Sequence, residues 1–327
     1  MLVVAGGSLL ILPADRRARP QYFRIESGQS FGQVEAHLAK VGLVTLKGPL
    51  RIWARVTGRD RQVHPGTYEL SAAQTPLEIL RTLVAGEAIV RRVTIPEGFT
   101  QQAILARLAE ELAFSVGPLL QAVGDTAWVR SLGIPGPPLE GYLFPETYLF
   151  DPSLTPREVL AEMVRVCLGH LSGERRVRAA ELGLTDHALL TLASIIELEA
   201  ADPAERRRIS AIYRNRLERG LLLQADPTVA YAAGRIGQRL TARDLEVASP
   251  YNTYLHPGLP PGPICSPGLG SIDAALWPLE DCQEFYFVAR GDGTHLFSKT
   301  LEEHNRARME VERAQGGSAL GARRSSR

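Results

Sequence analysis

Phe23–Ser30 reads FRIESGQS, and Val93–Thr100 reads VTIPEGFT, 70 residues later. Each copy is a short alternating apolar stretch, an acidic turn, a glycine and a hydroxyl residue, followed by an amphipathic run. Alternation predicts a strand, and Ser or Thr ahead of a 3.6-residue apolar period predicts an N-capped helix. Two copies are too few for a solenoid, which needs about three or more repeats. The echo instead predicts a small βα-type unit placed before a larger domain, with a boundary within Gly86–Val90.

Outward from the first copy, Tyr22–Ile25 alternates as a strand and helices are predicted over Phe31–Val41 and near Leu50–Thr57. His64-Pro65-Gly66 turns into a strand ending at Leu70. Thr75-Pro76-Leu77-Glu78 is a capping box with proline at the first helical position, opening a helix to about Leu83. Outward from the second copy, helices dominate: Gln101–Leu112, Pro156–Leu171, Glu174–Leu182 and one from Asp186. Asp202-Pro203-Ala204-Glu205 reads as another capping box, and its helix stops at Gly220. Ser249–Gly270, with six prolines and four glycines, reads as loop, and so long a loop is usually functional. Phe285–Ala289 and His295–Ser298 form a hairpin across Arg290-Gly291-Asp292-Gly293. Thr300–Glu303 caps a last helix ending near Gly316, and the polar tail to Arg327 is predicted to be disordered. The fold expected is α+β: a small α/β module over residues 21–88, then a mostly helical α+β domain over 89–316 with a C-terminal hairpin and helix, and a tail at 317–327.

The chain has 327 residues, with Lys+Arg 37 against Asp+Glu 36 and a net charge of +1. That balance leaves no electrostatic footprint for nucleic acid. Cys167, Cys265 and Cys282 show no CxxC spacing, which argues against a zinc or dithiol site. Leu2–Leu12, LVVAGGSLLIL, is an apolar run of 11 residues followed by Arg16, Arg17 and Arg19. It is shorter than the ~20 residues a spanning helix needs. Residues 1–20 are therefore expected to be the back half of a membrane anchor begun upstream of Met1, or a linker; a poor signal sequence is the alternative.

The sequence contains no P-loop, HExxH or GxSxG. Histidines do not cluster at metal-ligand spacing; His295, Glu303 and His304 are near in sequence, and a polar contact in the hairpin accounts for them better than a metal. The carboxylates are more informative. LASIIELEA, Leu192–Ala200, ends an apolar helix with Glu197 and Glu199. Leu189, Leu192, Ala193 and Ile196 form its apolar stripe. At about 100° per residue, Glu197 lies about 80° to one side of Leu189 and Glu199 about 80° to the other. The two acids do not face each other and cannot form a dyad. One is expected to look into a cleft and the other to pair outward, with Arg206 or Arg207. A salt-bridge role for both stays open on residue type and spacing alone. Gln224, Asp226 and Thr228 form a polar cluster after a glycine-stopped helix. Tyr251 and Asn252 sit on the proline-rich loop, and aromatic faces with amides suit sugars; a packed structural loop is the alternative.

LEGYLFPETY (139–148), LASIIELEA (192–200), LQADPTVAY (223–231), SPYNTY (249–254), GLPPGPICSPG (258–268) and YFVARGDGTHLFSKTLEEHN (286–305) occur in this order. Together they closely resemble the endolytic murein transglycosylases, the YceG-like family of membrane-anchored peptidoglycan-cleaving lyases. The resemblance covers about Phe23 to Asn305. It implies a LysM-like module over 21–88, a YceG-like catalytic domain over 89–316, no cofactor or metal, and glycan strands of peptidoglycan as substrate. It also implies an extracytoplasmic site beside a cell (inner) membrane and association with peptidoglycan synthases there. Glu197 matches the family's catalytic acid, and Glu199 a neighbouring acidic position. Gln224, Asp226, Thr228, Tyr251, Asn252, Tyr142 and Glu146 are the expected glycan-positioning residues.

The implied chemistry cuts the MurNAc–GlcNAc β-1,4 bond without water. One acid protonates the leaving oxygen, then takes the proton from the muramyl C6 hydroxyl as a 1,6-anhydro ring closes. No second carboxylate at glycosidase separation is required. Such an acid needs a raised pKa, and Ile195, Ile196 and Leu198 are expected to supply the apolar setting around Glu197. The sequence departs from the family in its shortened anchor and in Leu198, where many relatives carry lysine.

Overall fold

The computed structural model describes residues 10–324. The apolar run Leu2–Leu12 lies mostly outside them, as do residues 325–327 of the tail. By its contacts the chain divides into two compact units, the first through Val93 and rejoined by Tyr148–Thr155, the second formed by Thr94–Thr147 and the chain from Pro156.

In the first unit β1 (Gln21–Ile25) pairs antiparallel with β2 (Gly66–Leu70), Phe23 opposite Tyr68. Alternation turns Phe23 and Ile25 inward. They meet Val34 and Leu38 of α1 (Phe31–Lys40), Leu50 and Ala54 of α2 (Pro49–Val56), and Ile79, Leu80 and Leu83 of α3 (Pro76–Ala85). The capping box of α3 is closed: Glu78 N–H donates to Thr75 Oγ1 at 3.2 Å and Thr75 N–H to Glu78 Oε2 at 2.7 Å. Buried Glu35 accepts the amides of Gly48 and Arg51, each at 2.9 Å. A carboxylate thus satisfies the first N–H groups of α2, where intrahelical partners are missing. β3 (Arg91–Thr94) pairs with β4 (Thr147–Phe150), and both chain divisions fall at these strands.

The echo is visible in the backbone. Gly28 and Gly98 both take positive φ, +83° and +77°. Ser30 and Thr100 are both extended N-caps, opening α1 and α4 (Gln101–Glu111).

The second unit continues through α5 (Val116–Gly124), α6 (Thr126–Ser131), α7 (Pro156–His170) and α8 (Glu174–Glu181) to α9 (Asp186–Glu199). Every residue of α9 from Leu189 to Ile196 is buried, so the helix is a core element on all faces and not a striped one. α10 (Arg206–Glu218), α11 (Asp226–Ala232) and α12 (Leu269–Leu276) pack around it. The proline-rich segment runs along it: Ser194 Oγ accepts Ile264 N–H at 3.0 Å, and Cys265 Sγ donates to the Ser194 carbonyl at 3.4 Å. The hairpin β5 (Tyr286–Ala289) and β6 (His295–Ser298) pairs Phe287 with Phe297, and α13 (Leu301–Arg324) follows.

Three expectations are corrected. The loop expected to Gly270 turns helical at Leu269. α13 runs past Gly316 to Arg324; glycine costs a helix about 1 kcal/mol but does not compel it to stop. Asp202 caps Ala204 N–H at 2.9 Å, but Glu205 does not close the box. Its carboxylate meets His295 instead, at 3.2 Å from the amide and 2.7 Å from Nδ1. Glu303 caps α13 through the amides of Lys299 and Thr300 at 2.8 and 3.3 Å.

Candidate active site

The two acids that end α9 meet opposite fates. Glu197 Oε2 accepts Gly268 N–H at 3.0 Å, and its Oε1 lies 3.3 Å from Arg206 Nη2. Its side chain is 7% exposed. The same guanidinium reaches Glu97 Oε2 at 3.7 Å. Burial, then repulsion from Glu197, pushes the Glu97 carboxyl up, and Arg206 opposes them. Glycines permit this packing. A Cβ on Gly268 would stand 1.9 Å from Glu97 Oε1, and one on Gly270 2.5 Å from Arg206 Nη1. The amide of Gly98 donates to Ser266 O at 2.9 Å, and Ser266 N–H to Phe99 O at 2.8 Å. Glu197 is therefore the centre of an ion-paired clasp joining the turn before α4, the ends of α9 and α12, and α10. The mainly apolar setting expected around it is not what surrounds its carboxylate.

Glu199 lines a cavity of about 780 Å³, within the range typical of ligand sites. Its carboxyl is shielded, and Oε2 is buried with no hydrogen-bond partner among the described residues. Burial pushes this carboxyl up to about 8; the nearby Asp226 charge adds to the rise and the Tyr213 hydroxyl opposes it. At neutral pH the acid holds its proton. Around it stand Arg216, Gln224, Asp226, Tyr254, Tyr286 and His304. The Tyr254 hydroxyl donates to Asp226 Oδ1 at 2.6 Å. Buried Arg216 donates to Gln224 Oε1 at 2.6 Å, Leu222 O at 2.8 Å and Phe285 O at 3.0 Å. Gln224 is held at φ +50° with its amide on Thr253 O at 3.1 Å. The His304 ring stacks on Tyr286 at 5.4 Å, and burial, Arg308 and Arg216 hold its imidazole below the usual range.

Of the residues expected from sequence, Gln224 and Asp226 reach this cavity; the others do not. Asn252 is fully buried. Its Nδ2 donates to Leu245 O at 2.9 Å and Val247 O at 3.0 Å, and its Oδ1 accepts Tyr254 N–H at 3.0 Å. It pins the loop that delivers Tyr254 and has no polar atom left for a sugar. Thr228 is also fully buried, with its hydroxyl on Ala225 O at 2.7 Å and beside Thr253 Oγ1 at 2.9 Å. Tyr142 is a core residue whose hydroxyl meets His187 Nδ1 at 2.9 Å. Glu146 is exposed, and its backbone carbonyl accepts Ile95 N–H at 2.9 Å. Tyr251 lines a separate cleft of about 460 Å³ with Glu140 and His187. Burial pushes Glu140 up to about 7 against the amide of Gln101 and the hydroxyl of Tyr231. Arg216, Tyr254, Tyr286 and His304 were not anticipated as site residues. Tyr254 sits in the same SPYNTY motif as the two residues singled out, but nothing local separates it from Tyr251.

A neutral carboxyl opening on a cavity of amide, hydroxyl, guanidinium and aromatic groups is equipped to protonate a leaving oxygen while holding a polyhydroxyl ligand. The YceG-like family model matches residues 23–310. An endolytic murein transglycosylase of Bacillus subtilis is 31% identical, over 94% of this chain and 90% of its own length. One from Streptococcus pneumoniae is 28% identical over 90% of this chain, which spans 59% of that longer protein. The crystal structure of a YceG-like protein from Listeria monocytogenes aligns with a TM-score of 0.61 at 32% identity, over 88% of this chain and 99% of its own. The chain belongs to the YceG-like family.

Proposed function

We propose that this YceG-like chain is a peptidoglycan lytic transglycosylase, a lyase that cuts the MurNAc–GlcNAc β-1,4 bond within glycan strands and leaves 1,6-anhydro-MurNAc ends. The names of its relatives support the activity class. The observation that carries the chemistry is the Glu199 carboxyl: shielded, raised to about 8, with Oε2 unpartnered among the described residues, on a residue that lines a cavity with sugar-binding groups. Glu199 gives its proton to the glycosidic oxygen as the C1–O bond breaks. The oxocarbenium-like centre is captured by the muramyl C6 oxygen. The C6 hydroxyl proton passes to the Glu199 carboxylate, which restores the acid without consuming water. Gln224, Asp226 and Tyr254 orient the glycan, and Tyr286 offers an aromatic face. The first unit's strand-helix-helix-strand order favours the LysM-like reading of residues 21–88. We place the site outside the cytoplasm beside a membrane, where termination of strand growth and contact with synthases follow from the family resemblance.

A second reading makes Glu197 the acid, since it matches the family's motif position. Digestion of uncrosslinked glycan strands by Glu199→Gln and Glu197→Gln chains, with product masses, separates the two. Under the first reading Glu199→Gln releases no anhydro-ended product and Glu197→Gln still does. The reverse pattern moves the assignment to Glu197. Products heavier by one water in the unmodified chain indicate hydrolysis, and binding without cleavage a non-catalytic scaffold.

A further inference from the structure

Helix α2 of the first unit is apolar on two sides, and only one of them is covered. Leu50 and Ala54 are buried. On the far side Ile52 and Val56, one turn apart, are 64% and 79% exposed, and Trp53 is 41% exposed. At about 100° per residue the Ile52–Val56 stripe is bordered by Arg51 and Arg55 on one flank and by Trp53 on the other. Glu35, clamped on the amides of Gly48 and Arg51, fixes the start of the helix, so the stripe cannot roll into the core.

Charge selects the occupant. From Lys47 to Arg61 the chain carries Lys47, Arg51, Arg55, Arg59 and Arg61 against Asp60 alone. None of these five cations has an ion-pair partner among the described residues. Unpaired arginines beside an indole and two β-branched aliphatics match a surface with anionic headgroups above hydrocarbon. A glycan strand offers carboxylates and hydroxyls but no hydrocarbon for Ile52 and Val56. A second observation agrees. Leu10 is buried and lines the same small hollow as Leu46, Pro49 and Leu50, and the residues leading to it, LVVAGGSL at 2–9, carry no charge. The described chain therefore enters the unit at Leu10, beside the start of α2.

We propose that this face of α2 docks on an anionic lipid bilayer, with Ile52, Trp53 and Val56 at the acyl boundary and Arg51 and Arg55 on lipid phosphates. The full chain is reconstituted in phosphatidylcholine vesicles with and without phosphatidylglycerol, and Trp128→Phe and Trp277→Phe leave Trp53 as the reporter. With phosphatidylglycerol, Trp53 emission shifts to the blue and is quenched by brominated acyl chains; in phosphatidylcholine alone it remains that of a hydrated indole. Removing two contacts of about 1 kcal/mol each, as in Arg51→Gln with Arg55→Gln, weakens docking roughly thirtyfold. Hydrogen exchange of the unmodified chain, protected over residues 49–61 only with anionic lipid, checks the result without the tryptophan changes. A hydrated Trp53 in anionic vesicles, or an equal shift in neutral ones, overturns the proposal. A shift that needs no lipid and grows with protein concentration overturns it in favour of a second copy of the chain.

Discussion

Glu197 and Glu199 are two residues apart at the end of one helix, yet one side of α9 neutralises its acid and the other isolates it. On the Glu197 side the chain supplies a guanidinium and a helix-end amide, and opens two glycines to admit them. On the Glu199 side it supplies burial, a second negative charge and no partner for Oε2. Compensation builds a joint. Its absence keeps a proton on a buried carboxyl. Under the reading proposed above, the carboxylate close to an arginine is structural and the costlier buried acid is the chemical one.

The sharpest way to break this contrast is Glu199→Gln, which keeps the shape and removes the acid. It is expected to lower release of anhydro-ended glycan on the order of a thousandfold, with the melting temperature at neutral pH not lowered. Next in size is Glu197→Gln. It is expected to lose about 2 kcal/mol of stability by denaturant unfolding while keeping most of the turnover, since a charge-assisted bond is lost. A double-mutant cycle with Arg206→Met should return most of that loss as coupling. Third, stability should fall with rising pH. The folded Glu199 carboxyl titrates near 8 and the unfolded one near 4.3. Between these values the folded state binds more protons, so its contribution is complete below about 4.3 and is lost as pH rises through about 8. The slope approaches about 1.4 kcal/mol per pH unit, and Glu199→Gln should remove it in unfolding titrations. The smallest effect is Asp226→Asn. Taking away the charge that raises Glu199 should move the alkaline limb of the pH–rate profile to lower pH, whereas Glu97→Gln should not.

Much of the architecture was legible because it is written locally. Strand alternation, the Thr75–Glu78 box and the Gly28/Gly98 turns each depend on a few adjacent residues. Helix α12 was not legible, because it is short and set among prolines and glycines, where packing on α9 decides the conformation. The two acids were equally placed by periodicity, about 80° either side of Leu189. Choosing between them depends on Gly268 and Arg206 on one side and on Asp226 and Tyr213 on the other. Those neighbours come from elsewhere in the chain, and spacing within one helix cannot reveal them. The same holds for Asn252 and Thr228, whose polar atoms were visible in the sequence but whose internal partners were not.

The return of Tyr148–Thr155 to the first unit bears on how this protein is inherited. A gene segment ending at Val93 would encode the early strands and helices but not the strand that pairs with β3. The two units are therefore not interchangeable cassettes. Recombination that swapped the N-terminal piece alone would separate β3 from β4.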